Sequence, residues 1–252
     1  MSAENTPVNL LGLHEGQLRG YFASLGEKPF RAQQVMKWIY HQGVTGFDDM
    51  TNLSLALREQ LAGRAEVRPP EIVGEQVSAD GTVKWLCAGG VGQAIETVFI
   101  PEPGRGTLCI SSQVGCTLDC VFCQTGLMGF LRNLEAWEIV AQHRLARAHA
   151  PGPITNDVLM GMGEPLLNLD NVLPAASLMQ DDFAFALSKR RVTLSTAGVV
   201  PGLRRLAGET DISLLEQVII NLLTNAHHAM RDAGSRCGRS KTRTAKTETM
   251  SP

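Results

Sequence analysis

The first apolar residues recur at helical spacing. Leu18, Tyr21, Phe22 and Leu25 fall on one helix face, and Gly26 ends the pattern. Ala32 to His41 repeats it with Val35, Met36, Ile39 and Tyr40, and Leu53, Leu57 and Leu61 form a third stripe before Pro69-Pro70. Residues 1–70 are therefore expected to form a small helical accessory domain. From Glu71 to Pro101 the period shortens. Ile72-Val73, Val83 to Leu86 and Ile95 to Ile100 are short and rich in β-branched residues, with Asp80-Gly81 as a hairpin turn. Lys84 and Glu96 alternate with apolar neighbours, which predicts half-buried antiparallel strands over 71–104.

From Thr107 onward strand-like and helix-like stretches alternate. Leu108–Ser112, Asp157–Met160 and Arg191–Ser195 read as strands, and Asp211–Leu214 as the start of another. Leu134–Ala148, Val172–Met179 and Val200–Leu206 read as helices. This alternation predicts an α/β fold with a parallel sheet over 105–214. About four such strands are too few to close a barrel of the usual eight, so a partial β/α barrel is expected. Residues 215–252 change character: Leu215 to Met230 is apolar-rich and helical in pattern, and Ala233 to Pro252 is polar and basic, an expected disordered tail.

Composition narrows the function classes. The formal charge of −2 offers no global basic excess for nucleic acid, so any RNA contact must be local. Arg144 with Arg147, and Lys189 to Arg191, are basic clusters that read first as solvated faces. No apolar run approaches the roughly 20 residues that span a bilayer, and Met1 to Asn9 lacks a secretory layout. A soluble, cytoplasmic, monomeric protein with no membrane contact is expected. In a reducing compartment its six cysteines are better suited to metal or redox chemistry than to disulfides.

Three of them sit together in Gly115-Cys116-Thr117-Leu118-Asp119-Cys120-Val121-Phe122-Cys123. Three thiols on one loop can hold three irons of a [4Fe–4S] cubane and leave the fourth open. An open iron can take the amino and carboxylate groups of a ligand such as S-adenosylmethionine (SAM), and Phe122 can pack on its adenine. The alternative is a zinc knuckle completed by a distant fourth ligand.

With this loop the sequence resembles the RlmN-type radical SAM RNA methyltransferases. The resemblance covers about residues 10–214 and rests on four stretches: Ile95 to Pro101, Cys109 to Cys116, Gly161 to Asn168, and Leu194 to Pro201. It implies a radical-SAM β/α barrel, here partial, with a [4Fe–4S] cluster on Cys116, Cys120 and Cys123. It also implies SAM contacts from Gly163, Glu164 and Ser195. Glu96 is implied as proton acceptor, and Cys109 as the thiol that resolves a covalent protein–RNA link. The implied reaction is methylation of adenine C2 in 23S rRNA and tRNA, with an electron donor such as flavodoxin as partner. Cfr-type enzymes, which methylate C8, share most of these motifs and stand as the alternative.

After Ser213-Leu214 the resemblance stops. Leu215 to Ala226 is instead similar to the N-box of histidine-kinase ATPases, with Asn225 at the magnesium-binding place. An amphipathic helix without nucleotide binding explains it as well, since no other kinase box follows. The chain is thus expected to be truncated or chimeric. It lacks a methyl-carrying cysteine in family context, because Cys237 sits in a low-complexity basic stretch. An inactive cluster-binding fragment, or a nucleotide-binding kinase-like fragment, remains as a second alternative.

Overall fold

The computed structural model describes residues 7–88, 93–118, 120 and 123–209. The stretches 1–6, 89–92 and 210–252, with Asp119, Val121 and Phe122, lie outside the described residues. Phe122 as an adenine contact, the Asp211–Leu214 strand and the kinase-like reading of 215–230 all fall there.

A two-residue strand β1 (Val8–Asn9) leads into α1 (Glu15–Ser24) and α2 (Arg31–Met36), followed by α3 (Leu55–Ala62) and β2 (Ala65–Glu66), which pairs parallel with β1. His14 caps α1, its ring accepting from Gly16 N–H, while Gln17 reaches back to the His14 N–H. Ser54 caps α3. The helices bury the three predicted apolar stripes: Leu18 and Phe22, Val35, Met36 and Ile39, and Leu57 and Leu61.

The chain then builds one sheet from β3 (Ile72–Val77), β4 (Val83–Ala88), β5 (Ala94–Glu102) and β6 (Arg105–Ile110). A short hairpin, β7 (Gln113–Gly115) and β8 (Phe130–Asn133), encloses α4 (Gln124–Leu127). After it come α5 (Ala136–His149), β9 (Asn156–Leu159), α6 (Leu169–Gln180), β10 (Val192–Leu194) and α7 (Val200–Glu209). The sheet order is β10-β9-β6-β5-β4-β3. Strands β10, β9 and β6 are parallel and β6 to β3 antiparallel, so the antiparallel segment and the parallel strands share one hydrogen-bonded surface. The Asp80-Gly81 turn joins β3 to β4, with Gly81 at φ 84°.

Alternation along the strands sorts the two faces. Val83, Trp85 and Cys87, Leu108 and Ile110, Leu159, and Val192 and Leu194 are buried on one face, which α5 and α6 cover. Cys87 is a core residue, 3.7 Å from the Thr97 hydroxyl. The other face is partly open. Across it the register aligns Lys84, Val98, Cys109, Val158 and Thr193.

The accessory helices dock on α5 through backbone carbonyls. Residues Lys37–His41 continue α2 as a wider π-type turn, closed by the Gln42 N–H on the Lys37 carbonyl. The turn presents the Ile39 and Tyr40 carbonyls to Arg144 and Arg147, and the Gly43 carbonyl accepts from Arg144 Nη2 at 2.6 Å. The Arg144–Arg147 cluster is therefore an interdomain clamp rather than a solvated face. Burial holds the Arg144 guanidinium below its usual range. Beneath the clamp His143 is buried against Asp157 at 2.7 Å and stacks near Phe185, which in turn meets Tyr40 edge-on.

One buried side chain ties α5 to the sheet. Gln142 Oε1 accepts from the Ser111 N–H and the Thr97 hydroxyl, and its Nε2 donates to the Ser111 carbonyl. Replacing it by leucine strands these groups without partners, at a cost of about 1–3 kcal/mol. Gln142→Leu should lower the unfolding free energy by that amount in a denaturant titration; unchanged stability would show that the network carries little.

Candidate functional site

The carboxyl ends of β6, β9 and β10 open onto one edge of the sheet, the place where parallel α/β sheets bind ligands. Ser111 and Ser112 follow β6, and the β7–β8 hairpin then carries the cysteine loop. Gly115, at φ 76°, allows the approach: a side chain there would overlap the Gly129 carbonyl just before the return strand. The Cys116 N–H donates to that same carbonyl at 3.1 Å. Cys116, Cys120 and Cys123 are all free thiols, partly exposed and outside the core.

The loop is internally organised. The Leu118 N–H points at Cys116 Sγ at 3.4 Å, and the Cys123 N–H donates to the Cys120 carbonyl at 3.0 Å. Burial pushes the Cys116 thiol up, with the Leu118 N–H opposing and the nearby Cys120, Cys123 and Glu164 adding to the rise. The three thiols and Glu164 therefore share one neighbourhood. The donor set is three soft sulfurs, which suits an iron–sulfur cluster or zinc rather than hard-ion sites. Among the described residues no three His, Cys, Asp or Glu side chains converge on a single metal ion.

Beside the loop, β9 ends in the turn Gly161-Met162-Gly163-Glu164-Pro165. Glu164 is 3% exposed. Its Oε1 accepts from the Leu166 N–H at 3.0 Å and the Thr196 hydroxyl at 2.6 Å, and its Oε2 from the Ala197 N–H at 2.8 Å. The carboxylate thus ties the turn after β9 to the turn after β10, where Ser195 lies with its N–H on the Leu159 carbonyl. Gly163 adopts φ +96°, and a Cβ there would lie 2.5 Å from Gln113 Cβ. The group pressed against this glycine is a side chain of the same protein. The structure brings Gly163, Glu164, Ser195 and the cysteines to one edge.

Glu96 and Cys109 occupy the open face nearby. Cys109 pairs with Val98 in register, two residues along β5 from Glu96. Glu96 forms an ion pair with Lys84 at 3.0 Å, and its carbonyl accepts from Ser111 Oγ at 2.6 Å. Burial pushes the Cys109 thiol up to about 11, the Met160 N–H partly offsets this, and the Glu96 charge adds to it. Gln113 and Thr196 lie in the quoted stretches without a role readable from sequence, and Gln142 carries no local signal at all. A polar side chain in an apolar stretch gains meaning only from distant partners.

The sequence matches the Ribosomal RNA large subunit methyltransferase N-terminal domain over residues 8–67 and the Radical SAM superfamily over residues 110–233. It is 58% identical over 210 residues to a dual-specificity RNA methyltransferase RlmN of Alkalilimnicola ehrlichii, covering 82% of this chain and 58% of that protein. This chain belongs to the RlmN-type radical SAM family. A second RlmN, from Marinobacter nauticus, is 55% identical over 220 residues, covering 85% of this chain and 60% of that one. The crystal structure of a radical SAM methyltransferase from Sphaerobacter thermophilus superposes with a TM-score of 0.73 at 41% identity, over 80% of this chain and 60% of that one. The RlmN-type chain thus spans 58% and 60% of the length of these two relatives. The superfamily match runs past Leu214, to residue 233. Among the described residues no helix is long and apolar enough to cross a membrane.

Geometry sets the reactivity of Cys109. With its thiol pushed up to about 11, almost none of it is thiolate at neutral pH. Its alkylation by iodoacetamide, followed by peptide mass spectrometry, should be slow at pH 7 and climb steadily toward pH 11. Glu96→Gln removes the adjacent charge and should shift this profile to lower pH. A profile that stays put in Glu96→Gln would separate the two side chains.

Proposed function

We propose that this chain carries the cluster- and SAM-binding machinery for methylating C2 of an adenine in 23S rRNA and tRNA. The supporting observation is the convergence of the three-thiol loop, the Gly163-Glu164 turn and Ser195 on one sheet edge, with Glu96 and Cys109 on the adjoining open face. Cys116, Cys120 and Cys123 hold the [4Fe–4S] cluster, and three protein thiols leave one iron for SAM. Together the bound cluster and SAM supply one-electron reductive chemistry.

The protein's own residues bind and orient. Among the described residues Glu164 Oε2 takes a single donor, the Ala197 N–H, which leaves acceptor capacity for the SAM amino group. Ser195 adds a hydroxyl at the end of the neighbouring strand. Glu96 accepts the proton that leaves the substrate base. Cys109 is the thiol that would resolve a covalent protein–RNA link, its sulfur attacking the linking sulfur as the S–C bond breaks and the released carbon takes a proton. Both side chains lie on one face of the sheet, on neighbouring strands. Flavodoxin or a similar donor brings the electron, and the protein works as a cytoplasmic monomer. The RlmN name shared by the relatives favours C2 over C8 methylation in this reading.

Anaerobic reconstitution tests the reading. The chain should hold about one [4Fe–4S] cluster, and any of Cys116→Ala, Cys120→Ala or Cys123→Ala should abolish it, because two thiols hold a cubane poorly. With SAM and dithionite the loaded chain should release 5′-deoxyadenosine, detected by mass spectrometry. Glu164→Gln should weaken SAM binding by the worth of a charge-assisted bond, roughly 1.5–3 kcal/mol. Stoichiometric zinc with no retained iron would defeat the proposal.

A further inference from the structure

Gln113 stands between two parts of the site. Its side chain is 0% exposed. Oε1 accepts from the Glu164 N–H at 3.0 Å, 51 residues away, and from the Thr117 hydroxyl at 3.2 Å. Nε2 donates to Asn133 Oδ1 at 2.8 Å, on the return strand of the hairpin. The amide orientation is fixed by chemistry: the Glu164 N–H can only donate, so the atom facing it must be the oxygen. The Gln113 N–H also donates to the Met162 carbonyl at 3.1 Å.

A single oxygen therefore receives one hydrogen bond from the turn that carries Gly163 and Glu164, and one from the loop between Cys116 and Cys120. Gly163 is packed onto the same side chain, close enough that any Cβ would collide with it. No other side chain among the described residues has a hydrogen bond to both the Glu164 N–H and the cysteine loop. Glutamine is suited to the place: its oxygen meets two donors and its NH₂ meets an acceptor, whereas methionine of similar length offers neither.

We propose that Gln113 is a positioning residue that sets the spacing between the cysteine loop and the Gly163-Glu164 turn, so that SAM held by the turn is presented to the cluster held by the loop. The inference rests on the cluster-and-SAM reading above. Gln113 touches neither group directly. It acts by referencing two backbone segments to one buried atom, and losing that reference loosens SAM binding while the three thiols still hold iron.

The test compares the full chain with Gln113→Met, Thr117→Val and Asn133→Ser, each reconstituted anaerobically. Iron and sulfide are counted, and SAM is titrated against the electron paramagnetic resonance signal of the reduced cluster. Gln113→Met should retain the parent's iron content but bind SAM about tenfold more weakly, the equivalent of ~1.4 kcal/mol. Thr117→Val cuts only the loop-side bond from the surface, and should weaken SAM in the same direction with iron retained. Asn133→Ser spares both bonds to Oε1 and should stay within about twofold of the parent. In the metal-free chain, hydrogen exchange at the Glu164 amide should accelerate in Gln113→Met. A parent-like SAM response in Gln113→Met or in Thr117→Val would overturn the proposal. An equal loss in Asn133→Ser would overturn it too, by showing general loosening of the hairpin. A parent chain that holds no iron would overturn the cluster reading along with it, whereas a loaded, SAM-responsive parent with unaffected variants would overturn only the role of Gln113.

Discussion

A buried carboxylate must be met by donors, and at Glu164 this requirement organises the whole carboxyl edge of the sheet. The Leu166 N–H, Thr196 hydroxyl and Ala197 N–H that meet it come from the turns after β9 and β10. Two turns that would otherwise move separately are thereby fixed together, and Ser195 is fixed with them. The Glu164 N–H donates in turn to Gln113, which carries the constraint to the cysteine loop. Removing the carboxylate would leave three donors short of a partner.

The other side of the sheet supplies rigidity. Gln142 clamps both backbone groups of Ser111, whose hydroxyl donates to the Glu96 carbonyl and accepts from the Met162 N–H. The strand that bears Glu96, the root of the cysteine loop and the Gly161–Glu164 turn thus meet at one serine. Arg132 and Glu138 add a bidentate ion pair, both contacts 2.7 Å, that pins the return strand of the hairpin to the start of α5. The accessory helices are anchored farther along α5 through Arg144 and Arg147. The cysteine loop, the turns after β9 and β10 and the accessory helices are referenced to one helix.

Much of this architecture was legible in the chain. Leu18, Phe22, Leu57 and Leu61 marked their helices because burial repeats at helical spacing, and Asp80-Gly81 marked the hairpin because its turn needs positive φ. Cys116, Cys120 and Cys123 stand out by their spacing as candidate soft ligands, and the structure places them on one loop. What local pattern could not show were partners far away in sequence. Arg144 reads as solvated until the Gly43 carbonyl is seen against it, and Gln113, Gln142 and Thr196 look like ordinary polar residues until burial gives them obligatory partners. The short β7–β8 strands escaped notice because three or four residues carry no period. The break at Pro101 to Gly104 suggested separate segments, yet Pro101 pairs with Gly106 across a hairpin and the sheet continues.

The central claim is that three thiols hold a cluster with one iron left for SAM, beside a turn that holds the ligand's amino group. Electron–nuclear double resonance on the reduced, reconstituted chain addresses it directly, with SAM carrying ¹⁵N in its amino group and ¹⁷O in its carboxylate. Hyperfine coupling from both labels to the cluster is the predicted result. A cluster signal that shows no coupling to either label, with SAM bound, would contradict the account.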